Sequence, residues 1–256
     1  MIAIERRLGI MELLNKKGAV RVDYLAEHYC VGKETIRRDL KILAKEYNID
    51  VVYGGARLKG ASAGAQIHEN NLVQKRATNY DLKDSIGKKA ASFIEPGDII
   101  ALNTGSTAEC ILNHIANKTP LSIITLNISI AGMAAAIPNV EVYIPAGKVR
   151  STSGMIVGFE PENYLRRFAV KKCFFGVSAV SLGSQITHPV VEEVPGNRVL
   201  LSISEEVYLI ADHSKFDKQS LYRMARLDEM NAIITDRELP PQYEKFCARS
   251  GIDIII

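Results

Sequence analysis

Residues 31–40 read Val-Gly-Lys-Glu-Thr-Ile-Arg-Arg-Asp-Leu, and this stretch decides the fold predicted for the first sixty residues. Ile36 and Leu40 recur with Leu43 at helical spacing, which predicts a short amphipathic helix. A cationic helix behind a tight turn is what helix-turn-helix proteins present to the DNA major groove, where cations attract phosphates and the N-terminal residues read base edges. The candidate DNA-binding residues on this helix are Lys33, Glu34, Thr35, Arg37, Arg38 and Lys41.

Two further helices are predicted before this one. The first covers residues 5–17 and ends at Gly18, and the second covers residues 20–28 and is followed by the turn Tyr29-Cys30-Val31. The apolar residues expected to point inward are Leu8, Met11 and Leu14 in the first helix and Val22, Leu25 and Ala26 in the second.

A β-hairpin is predicted directly after the three helices. Residues 50–58 form two short β-runs around Gly54-Gly55, and such a hairpin would act as a wing that places Arg57 beside a duplex. A run of charges alone more often marks a solvated helix face. Three helices and a wing in this order favour DNA binding instead.

The length and the charge distribution of the chain both indicate a small basic module followed by a larger domain. The chain has 256 residues, which suffices for a small module and one domain of about 190 residues with a sizeable core. Residues 1–59 hold 12 Lys or Arg against 8 Asp or Glu, whereas the remainder holds 20 against 21. The basic excess therefore lies in the module predicted to bind nucleic acid.

The cysteines give no sign of a metal site or a disulfide framework. Cys30, Cys110, Cys173 and Cys247 are far apart in sequence and lack a nearby His pattern, so they are expected to be reduced, and no metal or other cofactor is expected. The N-terminus has no apolar signal segment, and no stretch approaches twenty apolar residues. A cytoplasmic protein without a membrane attachment is the expectation.

Short apolar runs rich in branched residues recur through the second part of the chain. Most are separated by helical segments, such as residues 83–93, which carry Ile86, Ala90 and Phe93 on one side and end before Pro96-Gly97. The runs cover residues 98–102, 121–125, 140–144, 172–177, 207–211, 232–235 and 252–256. This alternation predicts an α/β domain with a mostly parallel sheet, which binds ligands at the carboxyl ends of its strands.

Residues that suit an anion follow several of these runs. Gly105, Ser106 and Thr107 lie between the first run and a helix, where hydroxyls and unpaired backbone N–H groups either bind a phosphate or simply cap the helix. Other runs are followed by Asn127, by Lys148 and Arg150, and by Lys215. If these groups converge, they form a pocket for a phosphorylated polar molecule.

Residues 35–40, Thr-Ile-Arg-Arg-Asp-Leu, and 53–56, Tyr-Gly-Gly-Ala, resemble the winged helix-turn-helix of the DeoR family of bacterial sugar-metabolism repressors. Gly105-Ser106-Thr107 and Ser214-Lys215-Phe216 resemble the effector domain of the same family, so the likeness spans nearly the whole chain. It implies a Rossmann-like C-terminal domain that is related to sugar-phosphate isomerases and binds a phosphorylated sugar. The expected organisation is a DNA-binding domain over residues 1–58, a linker and connecting helix over 59–80, and an effector-binding and oligomerisation domain over 81–256.

The resemblance also implies roles for individual residues. Lys215 and the Gly105 loop would hold the phosphate, Asn127 and Arg150 would lie near the sugar, and Glu192 or Glu193 would accept from its hydroxyls. The full set expected to bind the effector is Asn103, Gly105, Ser106, Thr107, Asn127, Gly147, Lys148, Arg150, Glu192 and Lys215.

Four positions depart from the family pattern. Gly32 replaces a helix-capping Ser, Asn103 replaces an Asp, and Ala146 replaces the first residue of a Gly-Gly pair. Pro195-Gly196 is expected to interrupt a helix that is otherwise continuous. Because two of these changes alter the pocket lining, the usual ligand of the family does not transfer directly.

Two other classes of function compete with a repressor. A sugar-phosphate isomerase or deaminase would suit the pocket, but residues 176–180, Gly-Val-Ser-Ala-Val, offer no acid, and no partner is identifiable for His188 or His213. A purely architectural DNA-binding protein does not explain the polar strand ends. The expected partners of a non-enzymatic repressor are operator DNA, a phosphorylated sugar and its own copies in a homodimer or homotetramer.

Overall fold

A computed structural model describes residues 3–17, 19–47, 49–52, 54–58, 72–183 and 185–256. The chain divides into two compact units, Met1–Ala65 and Gln66–Ile256. The predicted linker, Lys59–Ala65, lies outside the described residues, so the predicted domain boundaries stay predictions.

The first unit is a three-helix module with a small antiparallel sheet. Its elements are α1 (Ala3–Lys17), β1 (Ala19–Arg21), α2 (Val22–His28), α3 (Lys33–Glu46), β2 (Ile49–Val52) and β3 (Gly55–Leu58). The predicted hairpin is confirmed, because β2 pairs with β3 in antiparallel register. Residue 20 was expected in the second helix, but Val20 pairs with Ala56 in β1, so α2 begins only at Val22.

The core of this unit is formed by apolar residues from all three helices, among them Ile10, Leu14, Leu25, Ile36 and Leu40, each fully buried. The prediction for Leu8 was wrong, since its side chain is 57% exposed. The inward face of α1 instead follows a four-residue spacing through Arg6, Ile10 and Leu14, and Leu8 lies two residues off that line.

Arg6 is buried on this face because it pairs with an acid from α3. Its Nε lies 2.7 Å from Oδ2 of Asp39, and both side chains are less than a tenth exposed. Arg7 lies 3.6 Å from the other carboxylate oxygen. This buried ion pair, which joins α1 to α3, was not among the sequence predictions.

The second unit is an α/β domain. Its helices are α4 (Leu72–Ala77), α5 (Tyr80–Ser92), α6 (Ser106–Ile111), α7 (Ile128–Ala135), α8 (Phe159–Leu165), α9 (Val194–Ser202) and α10 (Pro241–Ser250). Its strands are β4 (Ile99–Leu102), β5 (Leu121–Thr125), β6 (Val140–Tyr143), β7 (Lys148–Val149), β8 (Ile156–Val157), β9 (Val170–Gly176), β10 (Ala179–Ser181), β11 (Gln185–His188), β12 (Ser204–Ile210), β13 (Tyr222–Ala225), β14 (Ala232–Ile234) and β15 (Asp253–Ile255).

The seven predicted runs all become strands of one parallel sheet within the described residues, in the order β15-β14-β12-β9-β4-β5-β6. Alternate residues face opposite sides, so that Ala101 joins a core with α8, α9 and α10 while Ile100 joins a core with α5, α6 and α7. The predicted fold class is therefore confirmed. Chain order reverses between β4 and β9, and this switch point is where open parallel sheets bind ligands.

Two smaller sheets were not predicted, because their strands are short. Strands β10, β11 and β13 form an antiparallel sheet, and β7 pairs with β8. The expected helix interruption at Pro195-Gly196 was wrong, since Pro195 lies in the first turn of α9, where its missing N–H costs nothing. In the described part of the chain, no helix is both long and apolar enough to cross a membrane.

Candidate functional site

A cleft in the second unit opens at the switch point of the sheet. Its walls include residues 103–107, which follow β4 and continue into the first turn of α6, and residues 176–178, at the end of the neighbouring β9. Helices α4 and α5 contribute Lys75 and Lys83, and Lys215 comes from the loop after β12. Of the predicted effector-binding residues, the structure brings Asn103, Gly105, Ser106, Thr107 and Lys215 together in this cleft.

Asn103 joins the two strands that border the switch point. Its Oδ1 accepts from the backbone N–H of Gly176 at 2.7 Å, and its Nδ2 donates to the Gly176 carbonyl at 2.8 Å. Nδ2 also donates to Oδ1 of Asn197 at 3.1 Å, and the Asn197 Nδ2 donates to the Glu193 carbonyl at 2.8 Å. An aspartate at position 103 could not make these donations, so the amide here is matched to its surroundings.

The lysines at one end of the cleft lie close enough to lower one another's proton affinity. Burial, followed by the nearby charge of Lys215, lowers the pKa of Lys83 to about 8. Burial also lowers the pKa of Lys215, with Lys75 and Lys218 adding to the effect and Asp212 opposing it. Cations that are this buried and this close to one another are stabilised by a bound anion.

Helix α4 is attached to this end of the cleft through its backbone. Lys83 Nζ donates to the carbonyl of Lys75 and, at 2.6 Å, to that of Thr78. Ser106 Oγ donates to the same Lys75 carbonyl at 3.1 Å. Arg76 makes a bidentate ion pair with the buried Glu109 of α6, with both N–O distances 2.7 Å.

The other end of the cleft contains a buried carboxylate. Glu193 is 2% exposed, and its Oε1 accepts from Arg150 Nη1 and, at 2.6 Å, from Ser153 Oγ. Its Oε2 lies 3.4 Å from Nε2 of His188. Among the described residues the buried Thr104 hydroxyl, in the cleft wall, has no hydrogen-bond partner. The cleft wall therefore offers both cations and hydrogen-bonding groups for hydroxyls.

Several predicted effector-binding residues lie outside the cleft wall. Asn127 is fully buried and caps α7, accepting from the N–H groups of Ser129 and Ile130, while its Nδ2 donates to the Ser153 carbonyl. Arg150 likewise acts through another residue, since its guanidinium pairs with Glu193. Both side chains hold cleft residues in place and do not line the cleft.

Three more predicted residues are exposed elsewhere. Glu192 points to solvent, because the single turn of 3₁₀ helix at Val191–Glu193 turns only Glu193 into the cleft. Lys148 is exposed in β7, and Gly147 precedes it at φ 154°. A Cβ at Gly147 would lie 2.7 Å from Cγ2 of Ile156, which accounts for the glycine by packing.

Lys75, Lys83 and His188 line the cleft but are not among the predicted site residues. One sequence signal did point to Lys83: it stands three residues before Ile86, on the apolar side of α5, and is 3% exposed. A cation on a buried helix face requires a partner or a function. No comparable signal marks Lys75 or His188.

In the first unit, the recognition helix α3 presents polar side chains to solvent. Lys33 Nζ pairs with Asp23 at 2.6 Å and Arg37 Nη1 pairs with Glu34 at 3.0 Å, all on exposed side chains. Arg38 and Lys41 are also exposed, and neither forms an ion pair within the described residues of this unit. Thr35 is exposed one turn from Arg38, and Arg57 lies on β3, in register with Asp50.

A groove separates α3 from the hairpin of the same unit. Arg37 and Lys41 line it on the helix side, and Val51 and Val52, both more than 40% exposed, line it on the hairpin side. Gly32 begins α3 without a side-chain cap, so its backbone conformation alone starts the helix. A cationic helix beside an exposed hairpin is the geometry of a winged DNA-binding module.

Comparison with known proteins gives matches along nearly the whole chain. Residues 6–60 match the model of the DeoR-like helix-turn-helix domain, and residues 78–237 match that of the DeoR C terminal sensor domain. The glycerol-3-phosphate regulon repressor of Escherichia coli (strain K12) is 29% identical over 236 residues, which cover 92% of each chain. The lactose phosphotransferase system repressor of Staphylococcus aureus (strain NCTC 8325 / PS 47) is 31% identical, over 91% of this chain and 92% of that one.

Solved structures show a more distant likeness. Ribose 5-phosphate isomerase A from Methanocaldococcus jannaschii is 18% identical and covers 54% of this chain and 55% of its own, with a TM-score of 0.41.

Proposed function

The chain belongs to the DeoR family, and on that premise we propose that it is a transcriptional repressor of a carbohydrate-catabolism operon, controlled by a phosphorylated sugar. The effector part of this proposal is supported by the cleft, where Lys75, Lys83 and Lys215 line one cavity together with residues 103–107 and the buried carboxylate of Glu193. The sugar phosphate weakens operator binding because it prefers a different arrangement of the DNA-binding units.

The DNA half of the proposal rests on the first unit. Arg38 and Lys41 contact phosphates, and Thr35 reaches base edges from the N-terminal half of α3. Lys33, Glu34 and Arg37 can join them once their exposed ion pairs, which are worth little in water, exchange for contacts with DNA. Arg57, on β3, meets a phosphate or the minor groove next to the wing.

Arg38→Ala is expected to weaken operator binding by about tenfold or more and to reduce the slope of log affinity against log salt by about 1. A duplex selected from a random library, titrated by fluorescence anisotropy at several salt concentrations, measures both quantities. Lys88→Ala removes an equally exposed cation from α5 and is the matched control. Equal affinities for Arg38→Ala and Lys88→Ala would remove Arg38 from the interface.

The effector half follows from the charges of the cleft. A phosphate dianion offsets the mutual repulsion of the lysines, and the Thr104 hydroxyl and the Glu193 carboxylate can hydrogen-bond sugar hydroxyls. Asn127 and Arg150 support the sugar end through Ser153 and Glu193. We keep Gly147, Lys148 and Glu192 out of this proposed contact set.

Sugar-phosphate affinity is expected to fall as the pH rises above about 8. Lys83 is cationic below its pKa of about 8 in the unliganded protein, and a bound dianion raises that pKa again. Binding at pH 8 therefore takes up about half a proton per site, and the Kd rises about tenfold per pH unit above that point. Titration calorimetry in buffers of different ionisation enthalpy measures the uptake.

Lys83→Gln is the control for this linkage, because it removes the proton uptake that is due to Lys83. An affinity that stays constant between pH 7 and 9.5 in the wild type would exclude Lys83 from the phosphate site. The range from pH 7 to 9.5 lies above the second ionisation of the phosphate itself, which occurs near pH 6.

Binding without turnover is proposed over isomerisation. His188 and Glu193 together could move a proton, and they lie in the cleft. Oε1 of Glu193, however, already accepts from Arg150 and Ser153, so half of the carboxylate is committed to holding the structure. Incubation with ribose 5-phosphate should give no ketose signal by NMR, and a ketose signal that requires Glu193 would favour the enzyme.

A symmetric dimer or tetramer is proposed as the binding form. One winged module reads a short half-site, and two held by symmetry read a longer operator with useful specificity. Access to the chromosome places such a protein in the cytoplasm. Light scattering on the purified chain should show a mass of two or four chains, and a monomer at micromolar concentration would contradict this part of the proposal.

A further inference from the structure

Two donors of the proposed anion site are already engaged by a backbone atom. Lys83 Nζ and Ser106 Oγ both line the cleft, and both donate to the carbonyl oxygen of Lys75 in α4. A carbonyl oxygen carries partial negative charge and accepts the same hydrogen bonds as a phosphate oxygen. The unliganded cleft thus holds an internal acceptor where the proposed function places an anion.

We propose that the Lys75 carbonyl competes with the effector's phosphate for Lys83 and Ser106, so that anion binding loosens the attachment of helix α4. The proposal rests on the proposed function, because it requires that the cleft binds an anion. A phosphate is the stronger acceptor for both donors. The neutral bond from Ser106 becomes charge-assisted, which roughly doubles its strength, and the Lys83 cation gains an anionic partner in place of a neutral carbonyl. The Ser106 hydroxyl has one proton to donate, so it must leave the carbonyl to bind the phosphate. Lys83 has one N–H beyond the two that it gives to the Lys75 and Thr78 carbonyls, and the phosphate draws it away from the Lys75 carbonyl by charge.

The place of α4 in the chain makes this competition useful for regulation. The boundary between the two units lies after Ala65, and α4 (Leu72–Ala77) is the first described element of the second unit. A shift of α4 therefore moves the chain near the N-terminal end of the second unit. This links cleft occupancy to the segment that leads to the DNA-binding unit.

A second attachment of α4 can be altered without touching the cleft wall. Arg76 and Glu109 form their bidentate pair between α4 and α6, and neither lines the cleft. The variant Arg76→Gln/Glu109→Gln replaces this ion pair with two amides and leaves the net charge unchanged. The variant weakens the docking of α4, and the total charge around the phosphate stays the same.

Thermodynamic reciprocity fixes the sign of the result. If docking of α4 and anion binding compete, weaker docking must give tighter anion binding, by a factor no larger than the loss of docking. A purely structural ion pair predicts the opposite, because its loss loosens the site and lowers affinity. The direction of the change in phosphate affinity therefore shows whether α4 docking competes with the anion or supports its site.

The test is calorimetric titration of inorganic phosphate into the full-length chain. The double variant should bind phosphate about fivefold or more tightly than the wild type. Arg226→Gln/Asp228→Asn removes another bidentate Arg–carboxylate pair, exposed and outside the cleft, and should leave the Kd unchanged. An unchanged or raised Kd in the α4 variant, with its melting temperature retained, overturns the proposal.

Hydrogen exchange on the wild type gives a readout that needs no substitution. Saturating phosphate should speed amide exchange across residues 75–80 and leave α10 unaffected. Slower exchange across residues 75–80 overturns the proposal even if the double variant fails to fold. If the wild type binds neither phosphate nor sugar phosphates, the proposed effector site falls as well; if it binds them without these changes, only the competition fails.

Discussion

Asp39→Ala is expected to unfold the DNA-binding unit and abolish operator binding, while sugar-phosphate binding persists. The carboxylate is 4% exposed and receives Arg6 Nε at 2.7 Å, so its removal leaves a buried guanidinium without its partner. Breaking a buried pair from one side costs about 3–5 kcal/mol. A unit of about sixty residues has little more stability than that to lose.

Scanning calorimetry of the full chain measures this effect. The transition of the first unit should fall by well over 10 °C, and the transition of the second unit should not move. Asp23→Ala removes an acid whose ion pair with Lys33 is exposed on both sides, so it should leave the transition of the first unit nearly unchanged. Equal small shifts for Asp39→Ala and Asp23→Ala would show that the pair does not hold α1 to α3.

Lys215→Met is expected to abolish the response to sugar phosphate and leave operator binding intact. Loss of a hydrogen bond to a charged group costs about 1.5–3 kcal/mol, which raises the effector Kd by roughly 10- to 150-fold. Lys245→Met changes an exposed lysine of α10 that does not line the cleft, so it is the matched control and should respond as the wild type does.

Melting temperature separates a binding defect from a folding defect in this variant. Burial lowers the pKa of Lys215, which means that the unliganded fold disfavours its charge. The methionine variant should therefore melt at or above the temperature of the wild type without ligand, and gain no further stability from added sugar phosphate. Stabilisation by ligand equal to that of the wild type would take Lys215 out of the site.

The fold could be predicted well from the sequence because its periodic signals are strong. Buried parallel strands are continuous apolar runs, and each of the seven runs became a strand of the central sheet. Leu8 was misplaced because several helical phases fit a short amphipathic helix, and the buried Arg6–Asp39 pair selected another one. Strand β1 is three residues long and depends on pairing with β3, which local sequence does not encode.

The candidate site was predicted only where it follows a strand end. Gly105, Ser106, Thr107 and Lys215 lie just beyond β4 and β12, and they converge as the sheet rule requires. Lys75 and His188 reach the cleft from α4 and β11, whose approach is set by tertiary packing. Between Glu192 and Glu193, a single 3₁₀ turn decides which side chain faces inward, and no local pattern distinguishes them.

In the proposed mechanism, a DNA-binding unit and a sugar-phosphate receptor without catalytic activity work together in one chain. Anisotropy of a selected operator duplex at fixed salt, titrated with a panel of phosphorylated sugars, tests it most directly. At least one sugar phosphate should release the wild-type protein from the duplex, and the same compound should fail to release Lys215→Met. Release that is equal in both proteins, or no response to any member of the panel while the DNA stays bound, would contradict it.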